Sequence, residues 1–251
     1  MSDASYIPLY DSIGKGYAGR RQPDPRIAAQ LHAGLYHSDS IGNIGAGTGS
    51  YEIPGRTVVA VEPSMEMVLQ RAPSAAPAVR AVAERLPLRD NSVDAMTALL
   101  TIHHWTRIRQ GLDEMGRVAR RQVLILTWDP DASGFWLTDE YFPAIAERDR
   151  RRFPALSELS RVFGRIDVQP VPVPHDCIDG FLGAYWRRPT AYLDPGIRAA
   201  MSGFVDLPDG ATGIERLRQD LQSGEWGRRF RTLARKTVLD IGYRLVSAEL
   251  R

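Results

Sequence analysis

Three stretches of the chain carry residue types that can do chemistry. The histidines His103 and His104 are adjacent and follow an apolar run. His175, Asp176 and Cys177 follow a segment, 170–174, in which proline and valine alternate. Histidine titrates near neutrality and can take a proton from a nucleophile, so His104 and His175 are the candidate bases. Adjacent histidines are badly spaced for sharing a metal from a helix. One, His104, is expected to face a cleft while the other packs below it. Prolines fix the backbone and disfavour helix before them, so 170–174 should be extended and aim His175 reproducibly. Neighbouring side chains diverge along such a chain, so Asp176 is a poor orienting partner for His175. Cys177 has no basic neighbour to activate it and is read as a buried, inert thiol. No H-E-x-x-H, no G-x-S-x-G, no carboxylate cluster and no Cys/His set with metal spacing occurs.

The third stretch is Ile41–Ser50, IGNIGAGTGS, with glycines at 45, 47 and 49. Glycine permits unusual dihedrals and close approach of a ligand to the backbone. No Gly-Lys-Ser/Thr follows, and position 50 is Ser, so neither the Walker loop nor the dinucleotide fingerprint is present. What remains is GxGxG after a short strand. A second strand, Thr57–Val61, ends in Glu62, an acidic side chain suited to two ribose hydroxyls.

Four segments in order, IGNIGAGTG, VVAVEPS, AERLPLRDNSVDAMTALLTIHHW and GLDEMGRVARRQVLILTWDP, span roughly residues 38 to 128. Together they resemble the class I S-adenosylmethionine-dependent methyltransferases. The resemblance is to the small-molecule branch that includes the ubiquinone/menaquinone-type enzymes. It implies an α/β, Rossmann-like fold: a mostly parallel seven-stranded sheet with helices on both faces, an antiparallel last strand and a helical cap. It implies S-adenosyl-L-methionine as cofactor, held by Gly45, Ala46, Gly47 and Gly49, with Glu62 on the ribose and Pro63 and Met65 beside it. Ala83 and Glu84 fall at the adenine, and Leu100 and Thr101 at the end of the fourth strand. From an N-terminal arm, residues 1–25, Tyr17 and Arg20 would meet the methionine carboxylate. Two departures stand out. Val82 occupies the place where the family usually has an adenine-reading aspartate. Only Ser50–Arg56 separate the glycine turn from the second strand, which leaves room for one or two helical turns.

The elements that must position these residues follow from periodicity. Ile27, Leu31 and Leu35 repeat at helical spacing over Arg26–Leu35, and Leu112, Met115 and Val118 do so over Gly111–Arg120. Strands are expected at Val79–Val82, Ala95–Leu100, Gln122–Thr127 and from Ile166, with Thr237–Val246 as a hairpin-like edge. Helices are expected over Ser157–Phe163, Phe181–Arg188, from Asp194, over Glu215–Ser223 and over Trp226–Lys236. Leu207–Gly213 reads as a loop, and the arginine run at 148–152 as a solvated helix face. The chain reads as one domain, with 26–129 as the cofactor half and 130–165 and 175–236 as a substrate-side cap.

At 251 residues and 43% hydrophobic residues the chain can bury a sizeable core. Its 32 Lys or Arg against 30 Asp or Glu give a net charge of +2, too balanced for a nucleic-acid binder. The single cysteine excludes an internal disulfide. Without a signal peptide or a long apolar run, a cytoplasmic monomer or homodimer with no membrane partner is expected. The function these features suggest is methyl transfer to a small, partly apolar molecule. The alternatives are an enzyme of the same fold that transforms the cofactor without methyl transfer, for example by cyclising it, and a non-enzymatic binding protein.

Overall fold

The computed structural model describes residues 9–250; the first part of the arm, with Tyr6, lies outside them. A one-turn helix α1 (Leu9–Ile13) precedes α2 (Pro25–Gly34). α2 starts where it does because Asp24 accepts the Arg26 N–H at 3.0 Å and Pro25 is pre-set for a first helical turn. Strands β1 (Ile41–Ile44) and β2 (Thr57–Val61) are parallel neighbours. No helix joins them: Ser50–Arg56 forms only turns, with Gly55 at a φ of 76°. The Ser64 hydroxyl accepts the Met67 N–H and so sets the start of α3 (Met65–Leu69). β3 (Ala78–Val79) is two residues long and stops short of Val82.

β4 (Val93–Leu99) is buried except at its last residue, as a strand covered on both faces should be. α4 (Ile108–Val118) buries Leu112, Met115 and Val118 and leads into β5 (Ala119–Trp128). Then come α5 (Pro143–Arg152), α6 (Leu156–Phe163), β6 (Asp167–Pro170) and β7 (Val173–Pro174). The chain ends with α7 (Pro195–Ala199), α8 (Gly210–Gln222), α9 (Glu225–Arg229), β8 (Val238–Leu239) and β9 (Tyr243–Glu249).

The sheet has seven strands in the order β3-β2-β1-β4-β5-β9-β6. β1 to β5 are parallel, while β9 runs antiparallel to both β5 and β6. The chain winds outward from β1 in one direction through β2 and β3, then returns to lay β4 and β5 on the other side. Ligands in such sheets sit at the carboxyl ends of the strands flanking that reversal.

Three sequence expectations need correction. The C-terminal segment is no edge: β9 lies inside the sheet and β6 takes the edge, while β8 leaves to pair with β7 in a separate ribbon. The helices expected over 181–188 and 226–236 break into single turns, Leu182–Tyr185, α9 and Leu233–Arg235. α8 begins at Gly210, inside the expected loop. Among the described residues no helix is long and apolar enough to cross a membrane, and no group of His, Cys, Asp and Glu could hold a metal.

Candidate active site

Two chambers open at the carboxyl ends of β1, β4 and β5. Tyr10, Arg21 and Leu100 border both. Leu100 can do so because it turns the chain off β4 with a φ of 52°, its N–H held by the Leu126 carbonyl at 2.8 Å.

The glycine turn floors the first chamber. Gly45 and Gly47 adopt φ of 60° and 53°. A Cβ on Gly45 would lie 1.9 Å from Thr101 Oγ1, so only hydrogen fits there. Glu62, buried at the end of β2, accepts the Gly47 N–H on Oε2 and the Ser64 N–H on Oε1, both at 2.8 Å. Burial raises its pKa, against the pull of those two amides. Each carboxylate oxygen keeps acceptor capacity for one more donor. With no helix behind the turn, a buried ion pair supports it. Arg71 donates to the Gly47 carbonyl at 3.0 Å and to Glu52 at 2.7 Å, and Glu52 also accepts from Asn43 and from the Ala76 N–H.

Ala46, Pro63, Met67, Val82, Ala83, Glu84, Thr101, His104 and Trp105 complete the walls, with Leu9, Tyr10 and Tyr17 of the arm above them. With Val82 apolar, polar reading of a base falls to its neighbours. Glu84 Oε1 is occupied by the Arg107 N–H at 2.9 Å and the Glu84 carbonyl by Gln110. The N–H groups of Ala83 and Glu84 make no hydrogen bond among the described residues.

Four of the expected site residues lie elsewhere. Arg20 is exposed, and its neighbour Arg21 points inward, because Asp179 accepts from Arg21 Nε at 2.5 Å and Tyr17 accepts from its Nη1 at 2.5 Å. Met65 is 45% exposed and neither core nor wall; Met67 is the methionine at the chamber. Gly49 lies behind the turn, against Glu52, Ala75 and Arg71. His175 faces neither chamber: its Nδ1 lies 3.2 Å from the Thr237 carbonyl beside the β7–β8 ribbon. The extended Pro-Val segment does aim His175, but toward the chain that pairs with it. Asp176 pairs with Arg26 at 2.7 Å, and burial pushes the Cys177 thiol up to about 12.

The second chamber is largely aromatic, with Trp128, Phe135, Phe153, Phe181 and Tyr243 on its walls. It holds about 90 Å³, room for several water molecules and hence for a small ligand. His103 lines it. Its ring stacks on Phe153 at a centroid distance of 4.1 Å and its Nδ1 is buried without a partner. Burial, with help from His104 and nearby arginines, holds its pKa well below the usual histidine range. His104 sits on the cofactor side, Nε2 3.4 Å from the Tyr10 hydroxyl, its pKa lowered by burial to about 4. Sequence reasoning placed one histidine in a cleft and one beneath it; each faces a chamber. Nor is the arginine run simply solvated, since Arg148 donates to the carbonyls of Ser202, Gly203 and Val205.

A glycine turn and a buried strand-end glutamate at the switch point of a parallel sheet define a nucleoside-binding α/β protein. A family model for the methyltransferase domain matches residues 42–127. A crystal structure of a candidate methyltransferase from an antibiotic biosynthesis pathway of Anabaena variabilis is 34% identical, covers 92% of this chain and 99% of that one, and superposes with a TM-score of 0.83. A candidate methyltransferase of Bacillus halodurans (14% identity, 88% and 97% covered, TM-score 0.54) and the [4+2]-cyclase SpnF (14%, 98% and 99%, 0.57) share the fold. No curated protein matches the sequence significantly. The chain belongs to the class I S-adenosylmethionine-dependent methyltransferases, and S-adenosyl-L-methionine is its cofactor. The residues present fit that molecule: the glycine turn, with Gly45 and Gly47 at positive φ, faces the chamber without bulky side chains, and Glu62 retains acceptor capacity for two hydroxyls.

Proposed function

We propose that the protein transfers the methyl group of S-adenosylmethionine to a small, partly apolar molecule held in the aromatic chamber. The observation that carries this reading is the shared border: Tyr10, Arg21 and Leu100 face both spaces, so a ligand in one adjoins a ligand in the other. The bound cofactor supplies a methyl group already activated by a sulfonium. The chain's task is therefore placement, an effect that can reach roughly 7–11 kcal/mol. In this reading Gly45, Ala46 and Gly47 let the backbone approach the cofactor, and Glu62 takes the ribose hydroxyls. The free N–H groups of Ala83 and Glu84 meet the base, and Tyr17 and Arg21 close over the methionine end. Segments 130–165 and 175–236 form the cap, and the arm up to residue 25 covers the cofactor.

Where the acceptor must lose a proton, His103 is the histidine placed to receive it, because it lies in the acceptor chamber, where His175 does not. Burial lowers its pKa and so weakens it as a base. His104 holds Tyr10 on the cofactor side. The test is turnover: purified protein, S-adenosylmethionine and a library of small apolar molecules, followed by mass spectrometry. S-adenosylhomocysteine should appear together with a compound one methyl group heavier. Tight cofactor binding with consumption to any other product would sink the proposal.

A further inference from the structure

The acceptor chamber contains an anion whose purpose nothing in the fold explains. Two carboxylates reach it, Asp139 and Asp149. Asp139 is committed, accepting the Gly134 N–H at 2.9 Å. The side chain of Asp149, one helical turn before Phe153 on α5, accepts no hydrogen bond from any described residue, although it is only 19% exposed. Its nearest cation is Arg148, whose Nε stands 4.0 Å away. Arg148 Nε is itself without a hydrogen-bond partner, but it is held at that distance because the terminal nitrogens are taken by the carbonyls of Ser202, Gly203 and Val205. Arg152 acts on Asp149 only through its charge. Arg21 is engaged by Asp179 and Tyr17, and Arg150 is exposed at the rim.

A partly buried carboxylate with no hydrogen bond and only one long ion pair is costly, and such groups are normally more closely paired. Six aromatic rings, Tyr10 among them, share its chamber, and a ring face attracts a cation. His103 adds a neutral ring with a buried, unpartnered nitrogen on the same wall. An anion, ring faces and a neutral acceptor all complement one ligand chemistry.

We infer that the aromatic chamber takes a small apolar molecule bearing a protonated amine, whose ammonium group pairs with Asp149 against the aromatic walls. The inference rests on reading this chamber as the acceptor site. Asp149 is a specificity residue in it: the apolar body of the ligand is recognised by area and shape, the amine by Asp149. An acceptor with a carboxylate in the same place would face an anion and be excluded. An alcohol would bind without the charge-assisted bond.

The experiment measures binding by calorimetry, with no turnover needed, on protein saturated with S-adenosylhomocysteine. The probes are 2-phenylethylamine, its N,N-dimethyl derivative, 2-phenylethanol and phenylacetate, against wild type and Asp149→Asn. We expect the amines to bind about tenfold or more tightly than the alcohol, as a charge-assisted bond implies, and phenylacetate not to bind. Asp149→Asn should erase the margin of amine over alcohol while S-adenosylhomocysteine affinity, the control for folding, stays as it was. The inference is overturned if the alcohol matches the amines, if phenylacetate binds best, if no amine binds, or if the variant keeps the margin. Methyl transfer to uncharged acceptors with Asp149 dispensable would leave the proposed activity intact and remove only the amine. Amine binding without any methyl transfer would do the reverse.

Discussion

The cofactor chamber and the acceptor chamber differ in what they are made of. The first is walled chiefly by the ends of neighbouring strands between Asn43 and Thr106, with backbone groups facing the space and two buried carboxylates, Glu62 and Glu84. The second gathers side chains from Tyr10 to Tyr243, mostly off loops, single helical turns and α5, with Trp128 and Tyr243 from the ends of β5 and β9. A chamber of strand ends inherits its geometry from the sheet ladder. A chamber of side chains on irregular segments inherits it from packing, and is free to change without disturbing the sheet. On the proposed function, cofactor choice rests on the sheet ladder and acceptor choice on the packing of side chains around the second chamber.

The sharpest way to break that division is at the turn itself. Gly45→Val should abolish measurable S-adenosylhomocysteine binding by titration calorimetry while the far-ultraviolet circular dichroism stays native, because the new side chain meets Thr101 and a φ of 60°. Normal binding by this variant would mean that the turn is not the floor of the site. Arg71→Ala tests the support beneath the turn. It leaves Glu52 buried without its cation, both side chains being 6% exposed. A loss of about 3–5 kcal/mol in unfolding free energy is expected from urea denaturation, together with weaker cofactor binding. An unchanged midpoint would show that the pair is not what replaces the missing helix.

Glu62→Ala should weaken cofactor affinity by about 1–3 kcal/mol, roughly five- to 150-fold. The loss should be smaller for a cofactor analogue without ribose hydroxyls; equal losses would assign Glu62 to holding Gly47 and Ser64 alone. Asp149→Asn probes the other chamber through stability. Burial raises the carboxyl of Asp149 to about 6 from its ordinary 3.8. The native state thus binds its proton more tightly than the unfolded chain, and stability falls as pH rises from the unfolded to the folded pKa. The penalty is fully present above about 6. The variant should therefore be more stable by about 1–2 kcal/mol at pH 8, partial exposure of the group keeping the gain small, and the gain should vanish near pH 3. A gain that grew toward acid pH would refute the assignment. Last, His175→Ala should alter turnover, cofactor affinity and melting very little, within about 0.5 kcal/mol, as expected for a partly exposed side chain outside both chambers. A large loss of kcat would return His175 to the chemistry.

Much of the cofactor half could be read directly. The strand Thr57–Val61 forms as its run of Val suggests, the glycines take positive φ, and Glu62 sits at the strand end with its carboxylate turned to the turn. These are local consequences: strand composition, glycine's freedom, and the direction of a side chain leaving a strand. Errors arose wherever one residue had to be chosen over its neighbour. Met65 and Met67 lie about 200° apart around a helix, and the Ser64 cap together with the packing of α1 decides which turns inward. Arg21 rather than Arg20 enters the site because Asp179, 158 residues later, holds it there.

The acceptor chamber was visible only as a density of aromatics. Phe135 and Phe181 were legible as apolar, but nothing near Asp149 in the chain marks it off from the arginines around it. Its isolation is created by Arg148 turning to the carbonyls of 202–205. Strands β1, β2, β4 and β5, the glycine turn and the strand-end glutamate were legible in the chain alone, because they depend on neighbours a few residues away, whereas the places of β6, β8 and β9 were not. Which histidine and which carboxylate line the second chamber was legible only in the folded chain, because that depends on partners far along the sequence that close-packing brings to the same wall.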